Sequence, residues 1–287
     1  MSGSRVKTMR LHSRLRIAAE TSPDMIFQAK TFRVWRGLRN LRCTMLAFVV
    51  AGLTLSSAIG ADAPANNDMA IAENLAEMLR DARTVISNHQ DLINDPELGN
   101  KGLTGKAVRD EAVEIYAKAT GVDPTKIDPA SREGRLMRAM MAAIVEVVDD
   151  NQSTINERGT GFKGFIPAVF ARLVDEAFER LAKGEADVKV TAPPELVRNR
   201  KARPDSWEAE IIKTKLLDPT WRRGEPYSAT VDTNGRPAFR LMVPEYYGES
   251  CLACHGTPKG KMDITGYPKE GRKLNDLGAV ISITLYQ

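Results

Sequence analysis

Cysteine and histidine are scarce, with three of each in 287 residues. Cys43 lies in the leader, so the chain beyond residue 60 holds only Cys251 and Cys254. That scarcity excludes a disulfide-stapled scaffold, which spends many cysteines on cross-links. It also argues against zinc. A closed zinc site needs four ligands, and Cys251, Cys254 and His255 have only His89 to join them. No Gly-rich phosphate loop occurs, and no stretch reads as an interdomain linker. Long apolar runs are equally rare. The one candidate, "TMLAFVVAGLTLSSAIG", is 17 residues long and carries several Ser, Thr and Gly, the short edge for a membrane span. What remains is ordinary. With 43% hydrophobic and 27% charged residues, the chain has the make-up of a globular protein of one sizeable domain or two small ones.

A basic surface is missing too, once the leader is set apart. The net charge is +4, but residues 1–60 carry ten Lys/Arg against two Asp/Glu, so that segment is +8 and the rest is −4. Nucleic acid is therefore excluded as a partner. The leader reads as an export signal: a basic "FRVWRGLRNLRC", the apolar run, then small residues with a cut near Gly60 or Ala61. An uncleaved N-terminal membrane anchor is the alternative. Met25 makes a better start than Met1, so the first 24 residues read as a mis-annotated start. Cys43 sits where no lipobox surrounds it and is expected to leave with the signal. A periplasmic location follows.

Residues 61–184 read as a helical region. In "NNDMAIAENLAEMLRDARTVISNHQDLIN" Ile71, Leu75, Met78, Ala82, Val85, His89 and Ile93 recur at three- and four-residue steps, an amphipathic helix. Further helices are predicted over "GKAVRDEAVEIYAKATG", "REGRLMRAMMAAIVEVVDDNQ" and "GFIPAVFARLVDEAFERLAKG". The region also repeats. "HQDLINDPELGNKG" and "NQSTINERGTGFKG" share Gln90/Gln152, Ile93/Ile155, Asn94/Asn156, Lys101/Lys163 and Gly102/Gly164, each pair offset by 62. Two copies are too few for a solenoid and predict two helical hairpins packed as a bundle. Residues 185–287 change texture. A Pro- and Arg-rich extended stretch precedes a short helix with Asp205 and Glu208 spaced as a capping box. "PYSATVDTNGRPAFRLMVPEYY" then reads as a hairpin turning at Asn234–Gly235, and "LGAVISITLYQ" as a last strand. The fold class expected is α+β, an N-terminal helical bundle on a small antiparallel sheet.

Cys251, Cys254 and His255 form C-x-x-C-H, the attachment signature of c-type haem. Two thiols add to the two vinyl groups on one porphyrin edge, and the two residues between them let the backbone span that edge. The adjacent histidine then faces the iron as proximal ligand. A disulfide across so short a loop would constrain little. A redox dithiol would open a helix after a strand, whereas Gly256, Thr257 and Pro258 follow here. One motif implies one haem c, attached by the cytochrome c maturation machinery.

The second axial position has three readings: His89 on the first helix, a methionine (Met78, Met140, Met242 or Met262), or no protein ligand. A stripe of methionines at helical spacing is also what a core needs. Arg198, Arg200, Lys201 and Arg203 are placed to pair with haem propionates or to form a solvated basic loop. Tyr246 and Tyr247, just before the motif, are expected to pack near the haem.

With "VRNRKARPDSWE", "ESCLACHG" and the closing "LGAVISITL" in this order, the chain resembles the single-haem, PAS-like c-type cytochromes, found in cyanobacterial cytochromes and as periplasmic domains of haem-sensing chemoreceptors. The resemblance is best over residues 185–287, while the helical insert is less familiar. It implies a PAS-like sheet cupping a covalent haem held by Cys251, Cys254 and His255. The sixth ligand would come from the N-terminal helix, which favours His89 and Met78 over Met242. Three functions are in play. One is a diffusible electron carrier with a redox partner, the leading expectation. The second is a periplasmic redox or gas sensor acting through a membrane partner. The third and weaker is a haem peroxidase, for which no distal acid–base pattern stands out.

Overall fold

The computed structural model describes residues 63–287, with side chains from residue 67. The export signal, the start-site reading, Cys43 and any anchor lie outside the described residues. No described helix is long and apolar enough to cross a membrane.

Four long helices make the first layer: α1 (Ala63–Asn88), α3 (Gly105–Thr120), α4 (Arg132–Asp150) and α6 (Pro167–Leu181). Their ends obey local chemistry. Thr104 caps α3 by accepting from Ala107 N–H, and Gly121 stops it at φ 75, a left-handed conformation that glycine takes without a Cβ penalty. Ser131 caps α4 by accepting from Gly134 N–H. Two short helices, α2 (Gln90–Asn94) and α5 (Gln152–Ile155), follow breaks at His89 and Asn151, which share φ near −100° and ψ near 12°. The predicted first helix is thus two helices with a bend at His89. Met78, Met137, Met140, Phe170 and Phe178 are fully buried between the long helices. Each such side chain contributes roughly 1.5–3 kcal/mol by leaving water.

Positions 62 apart make matching hydrogen bonds. Gln90 Nε2 donates to Ile86 O and Phe165 O, and Gln152 Nε2 donates to Val148 O and Leu103 O. Asn94 Oδ1 accepts from Lys163 N, while Asn156 Oδ1 accepts from Lys101 N. Each loop's asparagine therefore closes the other loop, and the two hairpins interlock by exchange. Gly102 and Gly164 hold equivalent positive φ angles of 67° and 72°.

The second layer is an antiparallel sheet of β1 (Ala186–Thr191), β2 (Tyr227–Thr233), β3 (Arg236–Tyr246) and β4 (Leu277–Tyr286), in the order β1-β4-β3-β2. Thr233 pairs with Arg236 across Asn234 (φ 56) and Gly235 (φ 78), the two-residue primed turn that suits the right-handed twist of a hairpin. Side-chain alternation divides the sheet. Val188, Phe239, Leu241, Ile281, Ile283 and Leu285 join the bundle core, which α1 and α6 lay against the strands. Met242, Leu277 and Val280 face the other way, into a smaller core with Ile211 and Ile212. Ile211 ends α7 (Ser206–Ile211), opened by the expected capping box, with Asp205 and Glu208 bonded reciprocally. The stretch expected only to be extended contains β1, a paired edge strand.

Candidate functional site

β3 ends at Tyr246, and five residues later the chain reaches Cys251. A single 3-10 turn (Glu249–Cys251) runs into α8 (Leu252–His255), so both cysteines and the histidine share about two turns of helical backbone. A helix this short is not the long helix that a thioredoxin-type dithiol opens. The thiols are unpaired and part-buried. Burial, and then the Asp263 carboxylate, push the Cys254 thiol upward, the reverse of the depressed value that a redox thiolate requires.

His255 is held on two sides. Its Nδ1 lies 2.8 Å from Glu270 Oε2, and its ring stacks on Tyr247 with centroids 4.9 Å apart and planes 28° apart. Tyr247 is buried and backs onto β4: a Cβ added at Gly278 would fall 2.8–2.9 Å from the Tyr247 ring. Burial pushes the Tyr247 hydroxyl up to about 12. Tyr246 turns away, accepting from Gly224 N–H with Arg223 over its ring. Of the two tyrosines, then, Tyr247 belongs to the motif.

Arg198 is the hub beneath the motif. It donates to Glu270 through Nε (2.8 Å) and Nη2 (3.1 Å), to Asp263 Oδ2 through Nη1 (2.6 Å), and to Cys254 O through Nη2 (3.1 Å). Burial opposes ionisation of Glu270, but hydrogen bonds from Arg198 and His255 outweigh it and hold the carboxyl below its ordinary value. Asp263 likewise overcomes its burial through bonds from Thr265 and Arg198 and stays well below the usual carboxylate range. The sequence reading offered Arg198 to haem propionates; the structure instead commits it to Asp263, Glu270 and the motif backbone. Arg200 and Lys201 are exposed, Lys201 pairing with Glu176.

None of the residues offered from sequence for a second axial position bonds to this cluster among the described residues. His89 Nε2 lies 2.9 Å from Glu111 Oε2 of α3. At about 100° per residue, His89 sits roughly 180° around the α1 axis from Arg80. Arg80 and Arg83 are the α1 residues that reach Glu245, near the end of β3. His89 would have to leave Glu111 and turn to meet the motif. Met78 and Met140 fill the bundle core, Met242 fills the smaller core, and Met262 is exposed.

Glu270, Asp263, Gly278 and Glu245 escaped the sequence reading. One signal pointed to the first two. A ligating histidine usually gives its second ring nitrogen to a carboxylate, and few acids lie in the loop that follows the motif. Among the described residues no three His, Cys, Asp or Glu side chains converge as a bare metal chelate.

A family model described as Tll0287-like (Tll0287) matches residues 69–285, through both the helices and the sheet. The chain belongs to the Tll0287-like family. The match takes in the helical segment that looked unfamiliar from sequence, so bundle and sheet are together what the Tll0287-like chain is. No curated protein and no solved structure matches it.

Proposed function

We propose that this Tll0287-like protein is an exported single-haem c-type cytochrome of redox type, with a PAS-like sheet carrying the haem. One observation carries the reading: His255 gives Nδ1 to a carboxylate held ionised by Arg198, while no protein group bonds its Nε2 among the described residues. That arrangement fixes the tautomer with the proton on Nδ1 and leaves the Nε2 lone pair for a metal. Cys251 and Cys254 are the attachment points, and His255 is the proximal ligand. A haem bound there supplies an iron that exchanges one electron. The chain's own part is positional. Tyr247 and Glu270 hold the imidazole plane, and Arg198 clamps the backbone at Cys254, so the ligand moves little when charge changes.

A second reading, a sensor acting through a partner, draws on the tie between α1 and Glu245. Arg80 and Arg83 grip a carboxylate six residues before Cys251, so a shift at the motif would pull on a 26-residue helix. The test is expression in a bacterial envelope with the cytochrome c maturation machinery. A coloured chain heavier by one haem, and a colourless Cys251→Ala/Cys254→Ala variant, are expected; a chain of bare polypeptide mass refutes both readings. Low-spin spectra in both oxidation states, unaltered by CO, select the carrier; CO binding to the ferrous form selects the sensor.

A further inference from the structure

We infer that the loop after the motif, residues 257–276, is a docking surface for an acidic redox protein; this rests on the haem reading and adds the partner's chemistry. The loop is bonded back onto the motif, with Arg272 N donating to His255 O at 2.8 Å and Gly271 N to Gly256 O at 3.1 Å. The loop therefore packs directly on the backbone of the motif. Its exposed surface is unusually apolar. Met262, Ile264, Tyr267 and Leu274 are 58%, 66%, 45% and 47% exposed, four of the seven large hydrophobic side chains exposed among the described residues. Clustering of this kind marks an interaction site where scattered exposure does not.

The loop is net positive, with five Lys/Arg against three Asp/Glu in residues 257–276. Asp263 and Glu270 turn inward to Arg198 and His255, and Asp276 Oδ2 accepts from Lys273 N within the loop. Lys259, Lys261 and Lys273 point outward and exposed. Since the chain beyond residue 60 is −4, this positive face is a local feature of the loop. An apolar centre rimmed by lysines suits a partner with an apolar centre rimmed by carboxylates. Electrostatic steering then sets the encounter rate, and a small contact allows quick release.

The test uses the reduced full-length holoprotein and stopped-flow oxidation by three probes: ferricyanide, a cationic cobalt(III) phenanthroline complex, and a blue-copper protein with an acidic face. The Lys259→Glu/Lys261→Glu/Lys273→Glu variant is expected to slow the two anionic probes ~10-fold at low salt and to speed the cationic one, with the difference vanishing at high salt. Ile264→Ser should leave both small-ion rates unchanged and slow the blue-copper protein several-fold. Charge reversal that moves all probes alike, or none, overturns the inference. So does a changed visible spectrum in Ile264→Ser, which would make the patch part of the haem's own covering. So does salt-sensitive binding to vesicles of anionic phospholipid with no effect on the blue-copper rate. A colourless chain would overturn the haem reading itself, an outcome distinct from each of these.

Discussion

Replacing Glu270 tests the site at its tightest point. Its Oε1 accepts from Arg198 Nε, and its Oε2 accepts from both Arg198 Nη2 and His255 Nδ1. Glutamine has the same shape but only one accepting oxygen. If that oxygen keeps the Oε2 position, the amide nitrogen faces Arg198 Nε, donor against donor. The variant loses one charge-assisted bond of about 1.5–3 kcal/mol and weakens two others by losing their charge. Arg198 retains Asp263, so the net cost should be about 2 kcal/mol, which for a domain of this size lowers Tm by roughly 4–8 °C. The electronic effect is separate. A carboxylate on Nδ1 makes the imidazole a stronger donor and stabilises the oxidised state of a bound iron. Exchanging it for a neutral amide removes about 1.4 kcal/mol of that preference, or ~60 mV for one electron, so the midpoint potential rises. Spectroelectrochemical titration of wild type and Glu270→Gln measures it, with thermal melts alongside. A potential within ~10 mV of wild type, together with the expected fall in Tm, would show that Glu270 only builds the loop. No change in either would refute the hub altogether.

Two other perturbations follow from the same reasoning. Gly278→Ala places a methyl against the Tyr247 ring, which cannot retreat without moving off His255; a loss of about 1–3 kcal/mol is expected, and Tyr247→Leu in the same chain should recover most of it. Equal melting of Gly278→Ala and wild type would mean that the ring is loose. Asp81 is buried in the bundle with Oδ2 unpartnered, and burial, then Glu77, push it up to about 7 despite Arg80. The folded state therefore holds a proton that the unfolded state releases near pH 4, so Asp81 adds stability at low pH that fades as pH rises through about 7. Melting temperature should rise from pH 8 to pH 5 in wild type and rise less steeply in Asp81→Asn, where Asp175, also pushed up to about 7, still titrates; a parallel pH profile in the two proteins would refute this.

Local rules carried much of the fold. Gly121 and Thr104 bounded a helix, Asp205 with Glu208 opened another, and Asn234–Gly235 fixed a hairpin, because each acts within a few residues of itself. The C-x-x-C-H pattern was legible for the same reason: it lies in five consecutive residues. The site's support was not. Glu270 meets His255 across 15 residues, Arg198 meets Asp263 across 65, and Arg83 meets Glu245 across 162. Which acid answers which base depends on the path of the loop. His89 illustrates the opposite failure. Its place on the apolar stripe was correct to within one turn, but α1 ends at Asn88, and the bend hands the imidazole to Glu111. Periodicity gives a face only while the helix lasts.

The two layers answer pH in opposite senses, and this bears on function. Glu270 and Asp263 are depressed below their ordinary values, so the stability they give is present above the carboxylate range and is lost only as pH falls below it. Between pH 5 and 8 the hub therefore keeps all its charges, and the field at His255 is constant. In the bundle Asp81, and Asp175 beside the sheet, are both pushed up to about 7, mainly by burial, and exchange protons within that same interval. Asp175 stands near Arg83, the residue that grips Glu245. A proton taken up there weakens one of the two acidic neighbours of Arg83 and leaves Glu245 as its main counter-charge. The acids that exchange protons between pH 5 and 8 thus sit in the bundle and against the sheet, while the carboxylates that hold His255 and Arg198 stay charged.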